Sequence, residues 1–204
     1  MLHILYIVAI IAEAMTAALS AGRREMDWVG VCIIAWVTAL GGGTIRNIVL
    51  GHYPMSWVEH PEYLLLTAGG AALAAIIASY MKKLRYLFLL LDAIGLVVFT
   101  IIGCRVAQEL HLSWSIVLLS GVITGCAGGV LRDVLCNDVP LLFRKELYAS
   151  ASIFTGGIYL LLEQAGLSIH LATVLACAGG LALRLLALRY AWQMPRFVYH
   201  EEWH

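Results

Sequence analysis

Long apolar stretches, separated by short charged or proline-bearing ones, set the pattern of the chain. Windows of about 20 apolar residues, the length that crosses roughly 30 Å of hydrocarbon, recur seven times, at 2–19, 28–50, 63–81, 86–106, 114–136, 147–162 and 168–190. Arg23-Arg24-Glu25, Lys82-Lys83, Arg85 and Arg144-Lys145-Glu146 punctuate the connections, together with Pro54, Pro61 and Pro140. The pattern predicts an all-α integral membrane protein with seven transmembrane helices.

The pattern also repeats. Adding 86 carries Gly42, Gly43, Arg46 and Pro54 onto Gly128, Gly129, Arg132 and Pro140 without a gap, and Trp28, Thr38 and Gly70 onto Trp114, Thr124 and Gly156. Asn47 meets Asp133, and Ile45 meets Leu131. Residues 1–81 and 86–162 are therefore read as two three-helix repeats, 168–190 as a seventh helix and 191–204 as a tail. An odd number of spans turns the second copy over in the membrane. The expected architecture is a 3+3 inverted repeat plus one helix, with a pseudo-two-fold axis in the membrane plane.

Within span two, Gly41-Gly42-Gly43-Thr44-Ile45-Arg46-Asn47 interrupts the apolar run, and Gly125, Gly128, Gly129, Arg132 and Asp133 do the same in span five. Each glycine gives up roughly 1 kcal/mol of helix stability relative to alanine. Such clusters predict helices two and five broken at their glycines, with freed backbone lining a wet cavity. The competing reading is that the glycines let helices pack closely. A helix restarting after Gly43 or Gly129 would present its positive dipole end, which taken alone favours an anionic group.

Composition narrows the class. With 62% apolar residues, 13% charged, zero net charge and a mean hydropathy of +0.88, the chain lies far from soluble domains and offers no basic surface for nucleic acid. The apolar run at 2–19 lacks a basic leader and a small-residue cleavage site, so it is read as a retained span. Cys32, Cys104, Cys126, Cys136 and Cys177 have no C-x-x-C spacing, and the histidines form no ligand motif. Neither a metal centre, a cofactor nor an enzyme is expected. Arg23, Arg24, Lys82, Lys83, Arg85, Arg144, Lys145, Arg189 and Arg196 fall on one side of the membrane, and Arg105 alone on the other. The imbalance predicts an outer N-terminus and a cytoplasmic C-terminus.

Ionisable groups inside spans need partners or water. Arg46 and Arg132 each lie about four residues from the end of their span, roughly 6 Å inside opposite mouths. Asp92, about a turn and a half into span four, is at the right depth to pair with Arg132. Tyr6 is its counterpart in the first repeat. Glu13 is matched by Phe99 and has no partner nearby in sequence, so it either takes a proton or faces water in a pathway. Asp133 is placed to accept backbone hydrogen bonds near the inner mouth, and Arg184 to snorkel towards the cytoplasm.

The glycine–arginine motifs, Leu91-Asp92-Ala93-Ile94-Gly95-Leu96, and Gly128-Gly129-Val130-Leu131-Arg132-Asp133-Val134-Leu135 followed by Pro140 and Lys145-Glu146-Leu147-Tyr148-Ala149 resemble a known family. It is the two-repeat membrane family of prokaryotic trimeric intracellular cation channels and proposed glycine transporters, and the likeness covers spans one to six. The resemblance implies a homotrimer in a prokaryotic inner membrane, each protomer with its own hourglass pathway for potassium and other monovalent cations. Asn47 stands where aspartate is usual, Ala127 where a third glycine is usual and Glu13 where an aromatic is common. The expected function is a monovalent cation channel whose pathway residues are Gly41, Gly42, Gly43, Thr44, Arg46, Asn47, Gly125, Gly128, Gly129, Arg132, Asp133, Glu13 and Asp92, with an anionic lipid as a candidate ligand. The alternative is a secondary transporter for glycine or another small zwitterion, its carboxylate held by the arginines.

Overall fold

A computed structural model describes residues 2–80, 84–143 and 147–192. Met81, Lys82, Lys83, Arg144, Lys145, Glu146, Arg196 and most of the expected tail lie outside the described residues. The elements are α1 (Leu2–Arg23), α2 (Trp28–Leu50), a single turn α3 (Ser56–Glu59), α4 (Glu62–Tyr80), α5 (Leu84–Glu109), α6 (Trp114–Leu135), a 3₁₀ turn (Leu141–Phe143), α7 (Tyr148–Gln164) and α8 (Ile169–Tyr190).

Among the described residues, five helices, α1, α2, α5, α6 and α8, are long and apolar enough to cross a membrane. The sequence reading expected seven such spans; α4 has 19 residues and α7 has 17, which makes them the short members of the bundle. Two short turns, α3 and Leu141–Phe143, were not anticipated, and each follows its proline closely.

Local chemistry sets the helix limits. The Asp27 side chain accepts from Gly30 N at 2.7 Å, capping the start of α2, and Gly51 ends it at φ 64°, where its N–H reaches the Asn47 and Ile48 carbonyls. Ser168 caps α8 in the same way as Asp27. Trp28 and Trp114, the first residues of α2 and α6, are exposed at matching positions, as suits side chains at a membrane boundary.

α1 is the most buried of the five long apolar helices and α8 the least. Ala9, Ala12, Ala14, Ala17, Ala18 and Ala21 give α1 a small-residue surface on which α2, α4 and α5 pack. The starts of α1 and α4 share a cavity with the ends of α2 and α5, and the end of α1 shares another with the start of α5 and the end of α6. α1 and α5 are therefore antiparallel, as are α2 and α6.

The glycine breaks do not occur. α2 is one uninterrupted helix through Gly41, Gly42 and Gly43, and α6 is one through Gly125, Gly128 and Gly129. The reason lies in their crossing. A Cβ at Gly42 would run into the Thr124 carbonyl oxygen, and one at Gly128 into the Thr38 carbonyl oxygen. Two equivalent pairs thus interlock, and close backbone packing outweighs the loss of helix propensity. Gly125 serves a similar purpose against α5, where a Cβ would press on Leu96 O and Thr100. With no helix restarting after either motif, the dipole argument for an anionic ligand falls as well.

Candidate functional site

Two cavities enter the bundle from opposite ends. One, of about 420 Å³, lies at the starts of α1 and α4; Tyr6, Arg46, Glu59, Tyr63, Arg105 and Glu109 are among its walls. The other, of about 370 Å³, lies at the end of α1 and the start of α5, and includes Arg23, Arg85, Phe88, Asp133 and Asp138. Arg24 bridges the rim of the second, donating to Asp138 at 2.6 Å and to the Asn137 carbonyl at 3.0 Å. The α1–α2 connection is thereby tied to the end of α6.

Close to the second cavity sits a buried charged cluster. Arg132 is fully buried; its Nε donates to Asp133 at 2.9 Å, and its Nη1 donates to Asp92 and to the Thr16 hydroxyl, each at 2.9 Å. Glu13 Oε2 is 3.6 Å from the same Nη1. Asp133 also accepts the Leu141 backbone N–H at 2.9 Å, so the turn after Pro140 holds the carboxylate. The Phe88 ring lies beneath the guanidinium at 4.7 Å and also lines the second cavity. Three carboxylates from three helices therefore converge on one arginine. Low-dielectric surroundings make each of these contacts strong and each missing partner costly.

Arg46 differs. Its Nε and Nη2 both donate to its neighbour Asn47, at 2.9 and 2.7 Å, and its small exposed fraction lines the first cavity. Each motif thus orients its arginine through the next residue, with a neutral amide in one copy and a carboxylate in the other. Gly43 lies under Arg46 as Gly129 lies under Arg132: a Cβ would fall 3.8 Å from Arg46 Nη2 in the first case, and 2.9 Å from the Tyr148 hydroxyl in the second. The last glycine of each motif borders its arginine at ordinary contact distance, Gly129 lying in addition tight against Tyr148, while the preceding glycine makes the helix crossing.

The structure brings Glu13, Asp92, Gly129, Arg132 and Asp133 together, and Gly43, Arg46 and Asn47 into a separate group. Gly41 and Thr44 join neither. They face an apolar cavity of about 340 Å³ with Trp36, Leu40, Trp57 and Leu131, and Thr44 accepts from the Trp57 indole at 3.2 Å. Arg184 departs from its expected snorkelling. It is fully buried, 4.9 Å above the Tyr148 ring, whose hydroxyl donates to Asp92 at 3.3 Å. Thr16, Phe88 and Tyr148 were missed as site residues. Thr16 carried a usable signal, since it lies one helical turn from Glu13 on the same face.

A sequence model for a family described as "Glycine transporter" matches residues 3–79 and 89–164, two segments whose starts are again 86 apart (89 − 3). A "UPF0126 membrane protein" of Vibrio cholerae is 39% identical over 90% of this chain and 77% of its own. The "UPF0126 inner membrane protein YadS" of Escherichia coli K12 is 36% identical over 92% of both. Among solved structures, the trimeric intracellular cation (TRIC) channel orthologue from Rhodobacter sphaeroides superposes with a TM-score of 0.89 at 33% identity, covering 93% of this chain and 98% of that one. Matched in sequence along most of its length and in fold throughout, the chain belongs to the UPF0126, or glycine-transporter, membrane family, which shares the architecture of the prokaryotic TRIC channels.

Proposed function

We propose that the chain is a passive channel for monovalent cations, potassium among them, with one conduit in each protomer of a homotrimer. The observation that carries this reading is the pair of opposed cavities, entered between antiparallel α1 and α5, with Glu13, Asp92 and Arg132 buried between the two ends. The likeness to a protein described as a trimeric cation channel supports it. Because α2 and α6 are unbroken, side chains rather than unwound backbone carbonyls meet the ion in this scheme. The helices form an inverted repeat in the inner membrane of a prokaryote, with the Arg46 cavity outside and the Asp133 cavity facing the cytoplasm.

Recording from purified protein in a planar bilayer tests the proposal. Potassium-carrying unitary currents are the expected result, and their absence at every voltage overturns it. The family description favours a second reading, transport of glycine or a similar zwitterion, with Arg46 binding the carboxylate at the foot of the first cavity. Uptake of labelled glycine by the same proteoliposomes, abolished in Arg46→Ala, is the result that would select it.

A further inference from the structure

The Thr16 hydroxyl carries one proton and two lone pairs, yet it makes three close contacts. Arg132 Nη1 donates to it at 2.9 Å, the Glu13 backbone carbonyl lies at 2.8 Å, and Glu13 Oε2 lies at 3.0 Å. With Glu13 ionised, both Glu13 oxygens are pure acceptors competing for one hydroxyl hydrogen. A proton on Oε2 removes the conflict. Thr16 then donates to the backbone carbonyl, as threonines in helices commonly do, and its two lone pairs accept from Arg132 and from the Glu13 carboxylic acid.

Charge arithmetic gives the same answer independently. The charged and titratable groups around Glu13 are Asp92 from α5, Arg132 and Asp133 from α6 and, through Asp92, Tyr148 from α7, whose ring carries Arg184 of α8 on its face. α2 and α4 pack on α1 through apolar residues such as Ile34, Ala35, Ala71 and Ala74. Three acids face Arg132 at 2.9 to 3.6 Å, which leaves surplus negative charge in a place where Glu13 is 2% exposed and Asp92 and Arg132 are fully buried. One proton reduces that surplus. Glu13 is the acid that holds it, since Asp92 and Asp133 each take a 2.9 Å hydrogen bond from Arg132 while Glu13 stands off at 3.6 Å. Asp92 Oδ2 and Arg132 Nη2 are both buried with no hydrogen-bond partner among the described residues.

We propose that Glu13 is a proton-binding site, its carboxyl group protonated at neutral pH and donating to Thr16, and that loss of this proton adds one negative charge beside Arg132 and admits cations. The second half rests on the channel reading. The sign follows from the charge: alkaline conditions ionise Glu13, so cation flux rises with pH.

Infrared difference spectroscopy of the reconstituted protein, with potassium flux measured on the same vesicles across a pH series, tests both halves. The expected result is a protonated-carboxyl C=O band at neutral pH that Glu13→Gln removes and Thr16→Val shifts. Flux increases several-fold with pH in the parent and is flat in Glu13→Gln. Glutamine matches the neutral acid in shape, so unchanged thermal unfolding of Glu13→Gln at neutral pH is a further expected result. A parent lacking the band, or a band surviving in Glu13→Gln, overturns the proton site. An unaltered pH profile in Glu13→Gln overturns its coupling to flux. The band without potassium flux at any pH supports the proton site while defeating the channel reading.

Discussion

Arg46 and Arg132 occupy the same place in their motifs, one turn past a glycine pair, and meet opposite surroundings. Arg132 has carboxylates on three sides and no exposed surface; Arg46 has a neutral amide and a cavity. Deleting one partner of a buried charge group leaves the others uncompensated, at a cost of about 3–5 kcal/mol. Arg132→Met is therefore expected to lower thermal unfolding in detergent sharply. Arg46→Met forfeits a hydrogen-bonded pair of about 1 kcal/mol and should leave unfolding nearly unchanged while altering conduction. Similar losses in the two variants would contradict this division. Of these contacts, the Asp92–Arg132 pair was legible from depth along two spans. Glu13 was not traced to the same arginine, because its partner arrives from α6 across an interface that no periodicity along α1 encodes.

At the scale of elements, the crossing of α2 over α6 decides what the glycines do. Gly42→Val and Gly128→Val put side-chain carbons against carbonyl oxygens of the facing helix, an overpacking expected to cost about 1–3 kcal/mol or more. Gly157→Ala, where an added Cβ meets nothing within 4 Å, should be neutral or slightly stabilising. The comparison is read by thermal unfolding in one detergent, and equal behaviour would remove the packing argument. Helix positions were legible because apolar runs are local: the 28–50 window coincides with α2. The continuity of the helices was not, since glycine lowers helix propensity in isolation and only the facing backbone shows what offsets it. The short turns after Pro54 and Pro140 escaped notice for a related reason, being too brief to carry a period.

For the whole molecule, antiparallel α1 and α5 place the end of α5 and the end of α6 at opposite faces of the bundle. In a background without the native cysteines, Glu109→Cys is expected to react with a membrane-impermeant thiol reagent added to intact cells. Asp138→Cys should react only after the cytoplasmic face is opened. Reversed labelling would overturn the orientation drawn from the basic residues, and labelling of both from one side would overturn the inverted arrangement. The recurrence of matched residues at a constant interval was legible at this scale. The difference between the two halves was only partly so, because it resides in Thr16, Tyr148 and Arg184, which long-range packing assembles.

Arg184 comes from the one long helix that has no duplicate. Two identical half-length subunits meeting about a dyad would have to carry the acid cluster at both ends or at neither, and no α8 could cover just one of them. Covalent linkage of the halves removes that obligation: a single polypeptide keeps the economical geometry of a symmetric pair while surrounding one arginine with carboxylates and leaving the other beside a neutral amide.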